Sequence, residues 1–267
     1  MKEKLTRVYR STRREGPEWE LEQCGGRAWY GARDLNPEIK QKLLTNPDSF
    51  FEHRPWLKEG NTCSVVQVVD GDKVYVLKRY NQKSLSYRWF HVFSTPRALL
   101  NWSNGNVLRS FGVETPRPLA CVLIKSAGIL LRTAYVLMES VDGPSLSSTD
   151  HAKIKEGEPA NIPQQFALLW LKLDALNATH GDFKASNLMV DSQDRLVLID
   201  LDSFQFHQLV SRKRRQQKKD MKRFFRNWKD EPEVAGLFNE ALKAEGVSIS
   251  PSMLGCDDPS GSCKCRC

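Results

Sequence analysis

His180-Gly181-Asp182-Phe183-Lys184-Ala185-Ser186-Asn187 puts a carboxylate, an ammonium and an amide on one short segment, and Asp200-Leu201-Asp202 adds carboxylates shortly after it. These groups suit phosphoryl transfer from a metal–nucleotide complex. A carboxylate must take the proton of the attacking hydroxyl. A cation must neutralise the moving phosphoryl group, and hard oxygen donors must hold a divalent ion. On that chemistry Asp182 is the expected base and Lys184 the cation at the γ-phosphoryl oxygens. Asn187 and Asp200 are the expected metal ligands, with Asp202 a nearby second carboxylate. His180 is expected to pack and hydrogen-bond beneath the segment. A polar loop and a surface turn would explain any one of these residues, but not the whole set flanking a hairpin.

Three other positions fit a bound nucleotide. Lys78 ends the strand-like run Val74-Tyr75-Val76-Leu77-Lys78 and is expected to pair with the α- and β-phosphates. Lys58 to Val66 sits where a phosphate-covering loop belongs, with the backbone at Gly60 and the hydroxyls of Thr62 and Ser64 as donors. It holds one glycine, so a plain turn before a strand explains it nearly as well. Glu139 closes a later strand, and the backbone from Glu139 to Val141 is placed to meet the edge of an adenine.

Two regions must position these groups. Residues 19–32 read as short strands around Gly25-Gly26, in an extension packed on the first lobe. Asn36 and Pro37 open a short helix to Leu44. Ser64–Val69 and Lys73–Lys78 form a hairpin about the turn Asp70-Gly71-Asp72. A helix is expected over 96–110, then strands over 119–125 and 134–139 with a turn near Gly128. Residues 142–162 are rich in Gly, Pro, Ser and charge and read as a linker or lobe boundary. Phe166, Leu169, Trp170, Leu173 and Leu176 mark a helix over 163–176. Leu188–Val190 and Leu196–Ile199 bracket Asp191–Asp194 as a short hairpin, presenting Asn187 and Asp200 at its ends. Residues 208–245 read as helical in two pieces broken near Pro232, and the tail from Ser250 as disordered. The expected fold class is α+β: two lobes, a small antiparallel sheet followed by a mainly helical unit. The expected domains are 1–140, 141–250 and a flexible cysteine-containing tail over 251–267.

The bulk composition agrees with a globular chain of 267 residues, 40% hydrophobic and 27% charged. Its net charge of +8 favours anionic partners. Much of that charge lies between Arg212 and Lys229, where Met221, Phe224, Phe225 and Trp228 recur at helical spacing. One face of such a helix buries and the other is cationic. A solvated face is the ordinary fate of a charge run; docking on anionic lipid or on a phosphorylated acceptor are the functional readings. RNA ranks below these, because the glycine-spaced aromatics of a common RNA module are missing. The start of the chain has no apolar run after its charges and does not read as a signal peptide. Seven cysteines, four of them from Cys256 to Cys267, argue against a disulfide framework and match no closed zinc module.

The spacing H-x-D-x-x-x-x-N from His180 to Asn187 is that of the protein-kinase catalytic loop. With the segments Gly112-Val113-Glu114-Thr115-Pro116-Arg117-Pro118, Glu139-Ser140-Val141-Asp142-Gly143 and the basic stretch Asp220 to Trp228, the chain resembles the bacterial lipopolysaccharide kinase (Kdo/heptose kinase) family from about Gly60 to Gly246. The resemblance implies a protein-kinase-like fold, ATP with magnesium or manganese, and transfer of the γ-phosphoryl group to an inner-core sugar hydroxyl at the cytoplasmic face of the inner membrane. The implied partner is the lipopolysaccharide core glycolipid or another anionic sugar, with peripheral membrane contact through Arg212–Lys229. The chain departs from the kinase pattern in having no Glu between Ser94 and Ser110 to pair with Lys78, and no A-P-E segment after Asp200. The second departure argues against a peptide acceptor. A kinase of the same fold for another small molecule or for protein, and a nucleotide-binding pseudokinase scaffold in envelope biogenesis, are the competing readings.

Overall fold

The structure, a computed structural model, describes residues 2–52, 56–60, 62–81, 95–126, 130–157 and 161–249. The expected turn near Gly128 and the cysteine tail lie outside the described residues. The chain divides into two compact units between Ser140 and Val141.

The first unit is built on a seven-stranded antiparallel sheet of order β1-β2-β6-β7-β5-β4-β3. The strands are β1 (Trp19–Cys24), β2 (Arg27–Ala32), β3 (Trp56–Lys58), β4 (Cys63–Asp70), β5 (Lys73–Tyr80), β6 (Pro118–Ser126) and β7 (Leu130–Glu139). The helices are α1 (Lys2–Ser11), α2 (Pro37–Thr45) and α3 (Arg97–Ser110). Alternation along the strands decides what each face covers. Tyr135 and Leu137 of β7 join Trp29, Val66, Val68, Tyr75 and Leu77 against Ile39 and Leu43 of α2 and the one-turn helix Pro47–Phe51. Ala134 and Val136 face the other way and pack with Tyr80, Cys121 and Leu123 against Ala98, Leu99 and Trp102 of α3. Asn36 caps α2 by accepting the Glu38 N–H at 2.9 Å, as its sequence predicts. One expectation needs correction. Residues 19–32 are not an extension packed on the sheet but part of it, since β2 pairs with β6 from Arg27↔Ile124 to Gly31↔Ala120. The buried Trp29, which donates to Glu20 at 3.0 Å, makes this stretch core rather than appendage.

The second unit follows the order α4 (His151–Glu156), α5 (Ile162–Ala175), β8 (Ala178–Thr179), β9 (Leu188–Val190), β10 (Leu196–Leu198), β11 (Gln205–Phe206), α6 (Val210–Phe225) and α7 (Pro232–Ala244). The stretch read as a linker or lobe boundary follows directly on the division between the units and is partly structured. It carries a single turn at Leu146–Ser148 and then α4, and Leu146 and Ile154 are buried. Its Gly and Pro content marks tight packing instead. At Gly143, φ is +150°, and a β-carbon would lie 1.9 Å from the Val190 carbonyl oxygen. The core is aromatic: Phe166 of α5 stacks on Phe224 of α6 at 4.0 Å and on Phe183 at 5.5 Å. Phe238 of α7 meets Phe166, Phe224 and Trp228. Among the described residues no helix is long and apolar enough to cross a membrane.

Candidate active site

The segment from His180 to Asn187 runs from the end of β8 to the start of β9, and its conformation follows from alternating anchors. Phe183 is wholly buried among Phe166, Trp170 and Phe224, which fixes the middle of the loop in the core. His180 is buried as well. Its Nε2 lies 2.9 Å from the Ile199 carbonyl oxygen. A carbonyl only accepts, so Nε2 carries the proton. Nδ1 is then a bare lone pair with no partner. Burial holds this imidazole below the ordinary histidine range, so it stays neutral and structural. Gly181 adopts φ +80°, where a β-carbon would sit 2.5 Å from the Ser203 carbonyl oxygen, so the position requires glycine.

Asp182 and Lys184, on either side of the buried Phe183, remain partly exposed. The two oxygens of Asp182 have different company. Oδ1 accepts from Arg223 Nη1 at 2.7 Å, and the same nitrogen donates to the Gly181 carbonyl at 2.8 Å. Oδ2 lies 3.2 Å from Asn187 Nδ2 and 3.3 Å from Lys184 Nζ. Asn187 Nδ2 also donates to the Asp182 carbonyl at 2.8 Å. Its amide nitrogen is thus committed to Asp182, which leaves its side-chain oxygen for another task. Oδ1, with a single donor, keeps a second lone pair for a substrate proton.

Asp200 is brought to Asn187 through the backbone. The Ile199 N–H donates to the Asn187 carbonyl at 2.9 Å, while the Ile199 carbonyl accepts from His180. Residue 199 therefore ties the His180 loop to the end of the β9–β10 hairpin. Asp200 follows it with φ +60°, a left-handed conformation that an aspartate tolerates better than most residues.

In the first unit, Lys78 lies in β5, buried, paired with Val65 and Val136, its Nζ 5.3 Å from the Tyr80 ring centroid. A buried lysine needs a compensating partner, and α3, which packs on this face of the sheet, carries two further buried polar side chains, Asn101 and Asn104. Gly60 and Ser64 are joined by Asn81, whose Nδ2 donates to the Gly60 carbonyl at 3.0 Å and to Ser64 Oγ at 3.2 Å. The Asn81 N–H donates to the Thr62 carbonyl at 3.2 Å. Asn81 thus clips the loop to the end of β5. At Glu139 the picture differs from the expectation. Its N–H donates to the Arg117 carbonyl and that of Ser140 to the Val74 carbonyl, each at 3.0 Å. Two of the three backbone donors proposed for a base edge are therefore spent on the protein.

Residues 54–241 match the model of the lipopolysaccharide kinase (Kdo/WaaP) family. The chain belongs to this family. Two 3-deoxy-D-manno-octulosonic acid kinases of Vibrio vulnificus, from strains CMCP6 and YJ016, are each 26% identical to it over 116 residues, 43% of this chain and 47% of theirs. The chain thus matches about half the length of these curated relatives. The solved structure of WaaP in complex with acyl carrier protein aligns with a TM-score of 0.51 at 14% identity, covering 82% of this chain and 93% of that one. At that identity the likeness shows the fold alone, and the fold is kinase-like, α+β as expected.

Within this lipopolysaccharide kinase fold, two residues outside the expected set complete the loop. Asp220 of α6 is buried, and its Oδ2 accepts the His180 N–H at 2.9 Å and the Gly181 N–H at 3.0 Å. Burial pushes its carboxyl above the usual carboxylate range. Arg223, one turn on, holds Asp182. A signal for Asp220 was present: it is the one acid between Val210 and Lys229, adjacent to the apolar stripe that begins at Met221. An acid on the buried side of a basic helix must find donors. The metal expected from the family also fits the donor chemistry. Asn187 offers an amide oxygen and Asp200 a carboxylate, and magnesium is typically held by one or two carboxylates plus substrate phosphates.

Proposed function

We propose that this protein is an ATP-dependent kinase that transfers the γ-phosphoryl group to a sugar hydroxyl of the lipopolysaccharide inner core. The observation that carries the reading is the setting of Asp182. Its carboxylate is clamped by Arg223 on one oxygen and by Asn187 and Lys184 on the other. A carboxylate so held is positioned before substrate arrives, and positioning is the larger part of catalysis in phosphoryl transfer. Asp182 accepts the proton of the acceptor hydroxyl as its oxygen bonds to the γ-phosphorus. The bond from that phosphorus to the bridging oxygen breaks, and ADP leaves. Lys184 offsets charge on the transferring group, and Lys78 is the lysine for the α- and β-phosphates. Asn187 and Asp200 hold magnesium or manganese, which when bound neutralises the phosphate oxygens. Family membership and the curated relatives, sugar-acid kinases by name, support the acceptor class. Residues 1–140 serve as the nucleotide-binding unit and 141–250 as the catalytic one. The enzyme works at the cytoplasmic face of the inner membrane, where the cationic face of α6 contacts anionic lipid or glycolipid.

The test uses purified protein, radiolabelled ATP with magnesium, and core-truncated lipopolysaccharide. Wild type is expected to label the glycolipid, and Asp182→Asn to lose on the order of a hundredfold or more in kcat with its thermal midpoint retained. Equal labelling by Asp182→Asn would remove Asp182 as the base. Nucleotide binding with no transfer by wild type to any core sugar would favour the scaffold reading.

A further inference from the structure

The start of α6 borders an open cavity of about 560 Å³ that the catalytic reading does not use. Its walls are β11, the turn through Leu209 and the first two turns of the helix. Arg212, Arg215, Gln216, Gln205 and His207 line it, and among the described residues no carboxylate does. Neither Arg212 nor Arg215 has a hydrogen-bond or ion-pair partner among the described residues. Elsewhere on the same helix cations are engaged: Lys213 bonds Asp174 at 2.8 Å and Arg223 bonds Asp182. The turn that shapes the cavity is fixed. The His207 N–H donates to the Asn177 carbonyl at 2.8 Å, and its Nε2 lies 2.7 Å from Thr179 Oγ1. Two unneutralised guanidiniums one turn apart, with amide donors around them, make a setting for a tetrahedral or planar oxyanion.

The position of this cavity relative to Asp182 follows from helix geometry. Arg212, Gln216, Lys219 and Arg223 are spaced i, i+4, i+7 and i+11, which keeps them on one strip of α6. Eleven residues at a rise of about 1.5 Å put Arg212 about 16 Å along the axis from Arg223. The strip thus runs from the cavity to the oxygen of Asp182 that faces away from Asn187. A phosphoryl acceptor entering from that side would lay its further end along the cations.

We infer that the cavity at the start of α6 is an acceptor subsite, in which Arg212 and Arg215 bind a second anionic group of the acceptor, a phosphate monoester or a sugar carboxylate, about 12–16 Å from the hydroxyl that receives the phosphoryl group. This rests on the kinase reading for its catalytic consequence, though not for the binding of the anion. Arg212 and Arg215 are specificity residues, remote from the reacting atoms. They select a multiply charged oligosaccharide over a neutral sugar.

Three measurements test it. In the first, deacylated, core-truncated lipopolysaccharide is the acceptor. The double substitution Arg212→Gln/Arg215→Gln is expected to raise its KM about tenfold or more while kcat and the KM for ATP stay within about twofold. A control, Arg214→Gln/Lys218→Gln, removes equal charge from side chains of the same helix that do not line the cavity and should leave the acceptor KM unchanged. All four side chains but none of their neighbours change, and all four are exposed, so the fold is retained. In the second, inorganic phosphate is titrated while the ring nitrogen signals of His207 are followed by NMR. Phosphate should raise the midpoint of His207 titration in wild type and not in Arg212→Gln/Arg215→Gln. The charges acting on that ring in the free protein are Asp220, Arg212 and Lys213. In the third, sedimentation with phosphatidylglycerol vesicles should show the same binding for both double variants. Equal KM increases in both double variants would mean diffuse attraction, and loss of vesicle binding with an unchanged acceptor KM would mean a lipid headgroup site; either overturns the subsite. If wild type shows no transfer at all, the kinase reading falls, and the His207 titration alone then decides whether the cavity binds an anion.

Discussion

Asp220→Ala removes the acceptor of both backbone N–H groups at the head of the His180–Asn187 loop. Its Oδ2 accepts two N–H groups, that of the fully buried His180 and that of the half-buried Gly181. A buried donor left without an acceptor costs about 1–3 kcal/mol, and a half-buried one the lower end of that range. The sum is about 2–4 kcal/mol. A domain of this size loses roughly 4 °C of thermal midpoint per kcal/mol, so the second unit should melt about 8–16 °C earlier. Calorimetry on the full chain reads this as a shift of one transition if the two units melt separately. Asp220→Asn keeps an oxygen where the two donors point and should lose no more than about 1–2 kcal/mol. A midpoint for Asp220→Ala within about 2 °C of wild type would refute the account, as would equal damage from the alanine and asparagine variants.

The same pair of proteins reports on the charge. Burial raises the folded pKa of Asp220 above its unfolded value of about 3.9. The native state therefore holds this proton more tightly than the unfolded chain does. That contribution to stability is complete below about pH 4 and is lost as pH rises through the raised folded value. Asparagine has no such proton. The stability of wild type relative to Asp220→Asn should thus fall as pH rises from about 4, and a difference that grows with pH would contradict the burial of this carboxylate.

His180 should act with the opposite sign, since burial depresses its folded pKa below about 6.5: its contribution is present above that pH and lost as pH falls through the folded value, and His180→Gln should flatten this acid limb in urea titrations compared at each pH. Arg223→Ala should cost no more than about 1 kcal/mol of stability, because the side chain is 44% exposed, yet lower kcat about 10- to 100-fold by releasing Asp182; Arg223→Lys should recover only part, since a flexible ammonium lacks the rigid guanidinium plane that aims one nitrogen at both Asp182 and Gly181, and an unchanged kcat would refute the clamp. Gly181→Ala should destabilise by about 1–3 kcal/mol, read from the urea midpoint, because φ +80° and a 2.5 Å approach to the Ser203 carbonyl both exclude a β-carbon; an unchanged midpoint would mean the turn is not as described.

What the sequence disclosed depended on whether spacing carried the information. The hairpin Val190↔Leu196 and the placement of Asn187 and Asp200 at its ends were legible, because apolar runs around a turn determine register. The buried face of α6 and of the turn after it was legible from Met221, Phe224, Phe225 and Trp228, all of them buried. The membership of β1 and β2 in the sheet was not, since strand order is a long-range property and β2 pairs with β6 far along the chain. The packing of residues 146–156 was missed because Gly, Pro and Ser serve tight turns as readily as linkers. The distant partners of the His180–Asn187 loop were missed for a related reason. Lys184 and Asn187 are local and could be counted, but Arg223 and Asp220 reach the loop from about forty residues away.

Those two residues explain why so basic a helix keeps one acid. Asp220 and Arg223 are three apart and so rise on neighbouring faces, one turned in and one turned out. The inward acid fixes the backbone of His180 and Gly181; the outward cation fixes the side chain of Asp182 and the carbonyl of Gly181. Both therefore measure the same thing, the distance from α6 to the loop. Phe224 lies between them in sequence and stacks on Phe166 at 4.0 Å, while Phe183 stacks on the same ring from the loop side. A shift of α6 by even part of a turn would strip the loop of its backbone acceptor and draw Arg223 off Asp182 together. The helix that carries the cations along its outer strip is consequently the element that sets where the carboxylate stands.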